Sequence, residues 1–241
     1  MYTYSDIFEK KQTALIFTAH PDDCIVFFAG LIAKLRQEKK EVYVVVATNG
    51  ARGSRENEIS EEKLANIRIQ EEANALAIID IPSDHFLCLN HKDGEVESDM
   101  TFISEVSYYI RKYKPDIVCT HEPSRMYSSA YNNEGFFVQH RDHRKIGEAV
   151  LDAIYPFSRD LSFFPEHAND GITPHTVFDV LLTDEDSSNF HFDYSTFKDV
   201  KKSALEQHKS QFSQEIVDLI LNDSKVGDTY VEKFNYIKLL W

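Results

Sequence analysis

Apolar and polar positions alternate along the chain in a strand–helix rhythm. Four short apolar runs, rich in β-branched residues, have the length of buried strands: Thr13–Thr18, Glu41–Thr48, 85–89 and 115–120. Between them, apolar residues recur at intervals of three and four, which predicts helices over 25–40, 60–79 and 100–112. Because Glu41–Thr48 is apolar almost throughout, both of its faces are expected to be covered, as in a parallel sheet. The rhythm predicts an α/β fold, with a doubly wound, mostly parallel sheet and helices on both faces.

The second half of the chain follows a weaker pattern. Residues 121–139 form a long, aromatic and irregular segment, and a segment of that size within a compact domain is more often functional than idle. Helices are predicted over 146–155, 198–211 and 214–221, and a strand over 177–183. Since no repeat, low-complexity tract or linker is found, the sequence predicts a single domain over residues 1–241, with a small C-terminal lobe as an open alternative.

Composition and charge exclude several classes of function. The chain has 26 lysines and arginines against 40 aspartates and glutamates, and its formal charge of −14, without a basic stripe, disfavours binding to nucleic acid. No apolar run is long enough to cross a bilayer, and the first residues do not resemble a secretory signal, so a cytoplasmic protein is expected. The three cysteines, Cys24, Cys88 and Cys119, are too scattered for a disulfide framework. The sequence leaves a homo-oligomer open.

The strongest chemical signal is His20-Pro-Asp22-Asp23, directly after the first predicted strand. In an open α/β sheet, functional groups collect at the carboxyl ends of the strands. One imidazole and two carboxylates suit zinc or another divalent transition metal. Because the proline fixes the turn, the two aspartates are expected to point in different directions, one towards a metal and the other available as a general base. The alternative is a solvated turn whose aspartates cap the next helix.

A second signal, His140-Arg-Asp142-His143, lies at the entry to a predicted helix. Residues three apart share one face of a helix, so both imidazoles can face the same cavity. Asp142 could hold the ring N–H of one imidazole and favour its protonated form. The alternative is an ordinary first helical turn with surface histidines.

Together, the two segments make a complete hydrolytic site. His20, Asp23 and His143 would supply three metal ligands and leave a fourth position for water, as catalytic zinc sites commonly do. Asp22 would then be the general base, and His140 would face a developing oxyanion. The pair of segments therefore predicts a metal-dependent hydrolase.

Five landmarks of the chain resemble the LmbE/PIG-L family of N-deacetylases. They are Ala19-His-Pro-Asp-Asp23, Thr48-Asn-Gly-x-x-Gly53, Arg68-x-x-Glu71, His140-x-Asp-His143 and Ala204-Leu-Glu-Gln-His208-Lys-Ser-Gln211. They follow the order of the family and extend over most of the chain. The first and fourth are specific as a pair, whereas each of the others is weak alone.

The resemblance implies a Rossmann-like fold and a zinc-dependent hydrolase. Such enzymes remove an acetyl or related acyl group from an amino sugar or its conjugate, by attack of a water bound to the metal. The resemblance implies that His20, Asp23 and His143 bind the metal and that Asp22 is the general base. Another divalent ion such as Fe²⁺ stays open as an alternative to zinc.

The resemblance also assigns three further side chains. It implies that His140 stabilises the tetrahedral intermediate and that Asp142 orients His140. Arg68 matches a position associated with substrate contact. A surface arginine that pairs with Glu71 or Glu72 along the helix fits Arg68 equally well.

Two positions depart from the family pattern. Cys24 stands where glutamate is usual and is expected to be a small buried residue at the start of a helix. Val138 stands where some members carry a tyrosine near the oxyanion, and Tyr127 or Tyr131 could replace it. These departures leave two alternatives open: an amidase acting on a larger sugar conjugate with the same metal site, and a catalytically silent sugar-binding homologue. A nucleotide-binding protein is disfavoured, because the first strand does not lead to a glycine-rich turn.

The other histidines carry weaker signals. His121 ends a predicted strand and could line the pocket or be a satisfied loop residue. His208 is expected to pack or hydrogen-bond on the last helix. The remainder are expected to be surface or loop residues: His85, His91, His167, His175 and His191.

Overall fold

The computed structural model describes residues 1–54, 59–129, 135–184 and 186–240. Its strands are β1 (Thr13–Thr18), β2 (Glu41–Thr48), β3 (Phe86–His91), β4 (Ile117–His121), β5 (Tyr127–Ser129), β6 (Phe136–Val138), β7 (Asp179–Thr183), β8 (Phe190–Asp193), β9 (Lys225–Val226) and β10 (Thr229–Lys238). Its α-helices are α1 (Tyr4–Phe8), α2 (Asp23–Gln37), α3 (Glu61–Ile78), α4 (Met100–Tyr113), α5 (Arg141–Asp152), α6 (Lys198–Leu205) and α7 (Gln214–Asp223). None of the helices in these ranges is long and apolar enough to cross a membrane.

One mixed sheet organises the molecule. Its strand order is β3-β2-β1-β4-β7-β10-β8, and β9 pairs with β10. The pairs from β3 to β7 are parallel, while β10 runs antiparallel to both β7 and β8. This confirms the predicted α/β fold with a mostly parallel sheet. The last strands, β8 and β10, extend the same sheet.

Each face of the sheet is covered by its own apolar cluster. Along β1, Ile16 contributes to the cluster that includes Phe28 of α2, while Leu15 and Phe17 contribute to the opposite cluster with Ile146 of α5. The alternation follows from the two-residue period of a strand. Complete burial of such a side chain stabilises the fold by about 1.5–3 kcal/mol.

Small polar residues set several helix starts. The side chains of Ser60, Asp99 and Ser213 accept N–H groups in the first turns of α3, α4 and α7. A cap of this kind contributes about 1 kcal/mol. α5 begins five residues before the predicted position 146, because the His140 side chain accepts the N–H of Asp142 and caps the helix there.

Three expectations differ from the structure in the second half of the chain. The helix predicted over 198–211 ends at Leu205, after which the chain turns so that His208 meets Glu72 of α3. No strand was predicted after residue 183, yet β8 and β10 pair with each other there. His167 is buried rather than a surface residue, because its Nδ1 lies 3.0 Å from the guanidinium of Arg111.

Candidate active site

The candidate site lies where β1 and β4 end and where α2 and α5 begin. His20 and Asp22 follow β1, and Asp23 is the first residue of α2. His140 precedes α5, and His143 lies in its first turn. The two segments that the sequence singled out therefore meet at the carboxyl edge of the parallel strands, where open sheets place their functional groups.

The approach of α5 to β4 depends on a glycine. A Cβ atom on Gly147 would lie 2.3 Å from the carbonyl oxygen of His121, the last residue of β4. His143 lies one helical turn before Gly147, and its ring stacks on that of His121 with centroids 4.0 Å apart. The missing side chain of Gly147 thus lets α5 bring His143 to the end of the sheet.

The three predicted metal ligands come together around one carboxylate oxygen. Oδ2 of Asp23 lies 3.2 Å from Nδ1 of His20 and 3.2 Å from Nε2 of His143. Ligand atoms around a tetrahedral zinc ion, each at about 2.0–2.2 Å from it, lie roughly 3.3 Å apart. The spacing and the nitrogen–oxygen donor set therefore fit a divalent transition metal. Among the described residues, three groups have ligand atoms close enough together to hold one ion: His20 with His140 and His143, Asp23 with His121 and His143, and His20 with Asp93 and Asp142. The predicted ligand set takes its members from the first two of these groups.

His121 is a fourth imidazole in the cluster. Its Nε2 lies 3.5 Å from Oδ2 of Asp23 and accepts the backbone N–H of Ala19 at 3.2 Å. Burial, together with the charge of His143, lowers the pKa of His121 to about 4, so its ring is neutral. The Nε2 atom of His121 is thus satisfied by a backbone N–H, yet His121 also lies close enough to Asp23 and His143 to form a group that could hold an ion.

Two carboxylates face the other nitrogen of His20. Its Nε2 lies 3.4 Å from Asp142 and 3.4 Å from Asp93. Burial opposes the charge on His20, but Asp23, Asp142 and Asp93 outweigh it and hold the pKa of His20 well above its usual value. A carboxylate behind a ligating imidazole fixes the orientation of the ring and strengthens the ligand.

Asp142 contacts two other residues of the predicted site through different atoms. Its carboxylate lies beside His20 and accepts the N–H of Gly94, whereas its backbone N–H donates to Nδ1 of His140. The reason is that Asp142 lies in the first turn of α5, where its N–H needs an acceptor and His140 supplies one. The side chain of Asp142 therefore orients His20, and its backbone orients His140.

The contact at Nδ1 of His140 decides which edge of its ring can donate. Since its Nδ1 accepts a backbone N–H, the ring proton belongs on Nε2, the other edge of the ring. Burial, with the charges of His20 and His143, holds the pKa of His140 below its usual value.

Asp93 is the main site residue that the sequence analysis missed. It lies in the loop after β3, where its Oδ2 accepts the N–H of Arg52 at 3.0 Å and lies 3.9 Å from Arg68. An Asp-Gly pair at the carboxyl end of a parallel strand was the available signal, since Asp93 and Gly94 turn the chain back towards the site.

Arg68 and Asp22 form a second unit of the site. The guanidinium of Arg68 donates to Oδ2 of Asp22 at 2.9 Å and to the carbonyls of Gly50 and Pro21 at 2.7 and 3.1 Å. Arg68 is only 4% exposed, so the surface arginine expected as an alternative was wrong. Asp22 has a φ of +145°, which is strained for a residue with a Cβ and is held by these contacts. Burial, partly offset by Arg68, raises the pKa of Asp22 to about 6.

The two residues that depart from the family pattern differ in burial. Cys24 is fully buried at the start of α2, and burial raises the pKa of its thiol, as expected for a packing residue. Val138 is 81% exposed on β6 and lies opposite Tyr127 of β5. Tyr131, the other candidate replacement, lies outside the described residues.

A cluster of imidazoles and carboxylates at the strand ends of an open α/β sheet, with a separate carboxylate held by an arginine, is the arrangement of a metal-dependent hydrolase. The family model for GlcNAc-PI de-N-acetylase, PIG-L, matches residues 15–154, and the chain belongs to this family. The matched range contains all the residues of the site described above.

Two relatives and one solved structure are similar over most of the chain. Diacetylchitobiose deacetylase of Thermococcus kodakarensis is 28% identical over 218 residues, which cover 90% of this chain and 77% of the relative. The probable N-acetyl-alpha-D-glucosaminyl L-malate deacetylase 2 of Bacillus subtilis is 27% identical over 241 residues, 96% of this chain and 99% of the relative. The structure of N,N'-diacetylchitobiose deacetylase from Pyrococcus horikoshii, complexed with its inhibitor MPG, has a TM-score of 0.85 and 25% identity, and the match covers 97% of this chain and 86% of that one.

Proposed function

We propose that this protein is a zinc-dependent N-deacetylase that removes an acetyl or related acyl group from an N-acyl amino sugar or glycoconjugate. The observation that carries the proposal is the position of Asp23, whose Oδ2 lies 3.2 Å from candidate ligand atoms of both His20 and His143. In this proposal His20, Asp23 and His143 hold the metal, and residues 1–241 act as a single domain built on one sheet.

The relatives support the choice of substrate class. Two are named for deacetylation of diacetylchitobiose, and a third for deacetylation of an N-acetylglucosaminyl malate. These substrates share an N-acetylated glucosamine. An amino sugar of this kind is therefore the substrate we propose for this chain.

The residues of the site have separate tasks in amide hydrolysis. A bound zinc ion would polarise the amide carbonyl and lower the pKa of water towards neutrality. Asp22 takes a proton from the attacking water, and its pKa of about 6 lies in the range that suits a base near neutral pH. His140 donates from Nε2 to the oxygen on which negative charge develops. The proton collected by Asp22 can then pass to the departing amine, so that the products are acetate and a free amino sugar.

Arg68 has a task in this scheme beside the substrate contact that the sequence predicted. Its hydrogen bond to Asp22, at 2.9 Å, holds the carboxylate of the proposed base in one orientation. We propose that Arg68 orients the base, while direct contact of Arg68 with the substrate stays a prediction.

An acetate-release assay with parallel metal analysis tests the proposal. The purified protein is stripped of metal, reloaded with zinc or Fe²⁺, and assayed on N-acetylglucosamine, on diacetylchitobiose and on a larger N-acetylglucosamine conjugate. Zinc-dependent release of acetate supports the proposal, and the substrate with the highest kcat/KM identifies the preferred size. Zinc binding without release from any of these substrates would instead support the catalytically silent sugar-binding homologue.

The exposed hairpin of β5 and β6 favours a second candidate, an amidase acting on a larger sugar conjugate. Phe136 and Val138 are 70% and 81% exposed and lie a few residues before His140. An apolar surface beside the reacting group can contact a substrate portion beyond the sugar.

A cytoplasmic location and a homo-oligomer also stay predictions. Cell fractionation tests the first, and light scattering tests the second.

A further inference from the structure

A buried ion pair binds a backbone N–H and a backbone carbonyl of α2. Nζ of Lys201, on α6, donates to the carbonyl of Val26 at 2.7 Å and to Oε1 of Glu232 at 2.7 Å. The carboxylate of Glu232, on β10, accepts the N–H groups of Gly30 and Leu31, both at 2.8 Å. In a regular α-helix the N–H of residue 30 bonds to the carbonyl of residue 26. The two side chains therefore reach the donor and the acceptor of the same helical bond.

The surroundings are shaped for this contact. A Cβ atom on Gly30 would lie 2.4 Å from Cβ of Tyr194 and 3.1 Å from Oε1 of Glu232, so a side chain at this position would displace them. The ammonium group of Lys201 also lies 4.6 Å from the ring centroid of Tyr194. Glu232 and Lys201 are 3% and 2% exposed at their side chains, so the pair is almost completely buried.

The backbone groups that the ion pair binds lie close to Asp23, the proposed metal ligand of α2. Asp23 is the first residue of the helix, and Val26 ends its first turn. The next residue, Phe27, packs edge-on against the rings of His121 and His143, with centroids 5.5 and 6.0 Å apart. A cavity of about 70 Å³ is lined by both members of the pair and by His143. Displacement of the first turn would therefore change the positions of Asp23 and His143 together.

Stability alone is a weak reason for such a pair. Removing two charges from water costs free energy, and an apolar replacement of similar volume is often neutral or stabilising. Side chains that enter a helical hydrogen-bond ladder usually bend the helix at that point. The location of the pair, one turn from Asp23, gives it a geometric task.

We propose that Lys201 and Glu232 are positioning residues that set the orientation of the first turn of α2 and hence of Asp23 towards His20 and His143. The inference rests on the metal site of the proposed function and on no particular substrate. It links the last quarter of the chain, which contributes no residue to the proposed ligand set, to the geometry of the metal site.

Three variants test this role. Glu232→Gln keeps one acceptor for the α2 N–H groups and turns an N–H towards the other. A double variant, Lys201→Met with Glu232→Leu, replaces the pair with apolar side chains and protects against simple loss of folding. Lys202→Met is the matched control, because this neighbouring lysine pairs with Asp218 at the surface. Each protein is checked for folding by circular dichroism and thermal melting before metal is measured.

The readouts are zinc affinity, by competition with a chelator, and the visible spectrum of the Co²⁺-substituted protein. We expect zinc affinity to fall about 10- to 100-fold in both pair variants, with an altered Co²⁺ spectrum, and to stay unchanged in Lys202→Met. A lower melting temperature with wild-type zinc affinity and Co²⁺ spectrum would show a purely structural pair and overturn the inference. A wild-type protein that binds zinc weakly, without dependence on His143, would instead contradict the metal site itself.

Discussion

The two segments that form the candidate site differ in how firmly the protein holds them. In segment 20–23 the side chains of His20 and Asp23 are about 10% exposed, and Pro21 and Asp22 are tied to the guanidinium of Arg68. Segment 140–143 begins with the exposed His140 and follows directly on the exposed β6. Segment 20–23 is thus enclosed by neighbouring elements, whereas segment 140–143 borders solvent at His140 and is buried at Asp142.

This difference indicates a division of labour. A metal ion and a base need fixed geometry, because a small displacement of a reacting group costs much of the rate. The enclosed segment offers that geometry through the contacts of Asp22 and Asp23. The substrate must enter from solvent, and the open segment presents His140 on that side. The predictions below test this division, beginning with the contact that joins the two segments.

The largest effect is expected from His143→Ala, which removes the ligand that the open segment contributes. Without it, Asp23 and His20 cannot complete a three-ligand site, so zinc and activity should be lost together. Metal analysis and acetate release measure the two losses. His85→Ala, outside the site, should change neither. A zinc-replete and active His143→Ala protein would mean that the segments do not share an ion.

Asp22→Asn should remove the proposed base of the enclosed segment and leave its metal ligands in place. The amide keeps the shape of the side chain and can still accept from Arg68, so zinc content should stay at the wild-type level. Loss of the base should lower kcat by roughly 10²- to 10⁴-fold. Single-turnover kinetics on the zinc-loaded protein measure the effect. Wild-type turnover would remove Asp22 from the mechanism.

Glu72→Gln tests a buried contact of α3, the helix that carries Arg68 to the enclosed segment. Glu72 lies one turn after Arg68 on α3, and its carboxylate lies 3.2 Å from Nε2 of His208, both side chains being fully buried. Breaking one partner of such a pair costs about 3–5 kcal/mol of unfolding free energy. The matched control is Glu71→Gln, which affects a surface contact with Ser210 and should cost about 0–1 kcal/mol. Equal losses in urea unfolding of the two variants would contradict the buried pair.

The same pair predicts a pH dependence of stability. Burial opposes the charge on His208, but Glu72 outweighs it and raises the pKa of His208 above its usual value. The contribution of this histidine to stability is therefore complete below the pKa of the unfolded chain and is lost as the pH rises through the higher folded value. Unfolding of the wild type should show this loss, and Glu72→Gln should flatten it. If the variant shows the same dependence of unfolding free energy on pH as the wild type, the titrating group is not His208.

Arg68→Lys should have a smaller effect, because it keeps the charge beside Asp22. A lysine cannot reproduce the forked contacts to Asp22, Pro21 and Gly50. Loss of hydrogen bonds of this type costs about 1.5–3 kcal/mol, or roughly 10- to 150-fold in kcat/KM. A fall in kcat at constant KM would identify orientation of the base, whereas a rise in KM would identify substrate contact. Arg36→Lys, which affects backbone contacts far from the site, is the control.

The sequence predicted those parts of the fold and site that depend on local pattern. The bounds of β1 and β2 follow from uninterrupted apolar runs, and His20, Asp23 and His143 follow from short motifs at strand and helix ends. β10 escaped prediction because its outward positions are polar and charged, so that it has no continuous apolar run. Its place in the sheet depends on pairing with β7 and β8, which local pattern does not reveal.

The details that the sequence analysis did not predict depend on contacts between distant residues. The exposure of Arg68 could not be inferred from its helix, because three acceptors in two other segments decide its burial. The role of Asp142 depended on the direction of one side chain in the first turn of α5, where both His20 and His140 are within reach. Asp93 carried only the general signal of a turn after a strand. Tertiary geometry, rather than residue type, separated these roles.

The smallest effects are expected on the open side, in the hairpin of β5 and β6. The rings of Tyr127 and Phe136 lie 5.5 Å apart edge to face on its surface. Because Phe136 is 70% exposed, Phe136→Ser should change unfolding free energy by no more than about 0.5 kcal/mol. If the hairpin contacts the substrate beyond the amino sugar, loss of an aromatic contact of about 0.5–1.5 kcal/mol should raise KM roughly 2- to 12-fold for a large conjugate.

The comparison of substrates decides what the hairpin does. KM for N-acetylglucosamine itself should stay at the wild-type value in Phe136→Ser, since a single sugar would occupy the site without reaching the ring. Leu161→Ser, another exposed apolar position, controls for general surface effects. An equal rise in KM for both substrates would mean that the hairpin supports His140 rather than selecting substrates. Unchanged KM for both would remove the hairpin from substrate binding, because an aromatic side chain that contacts the conjugate cannot be lost without weakening its binding.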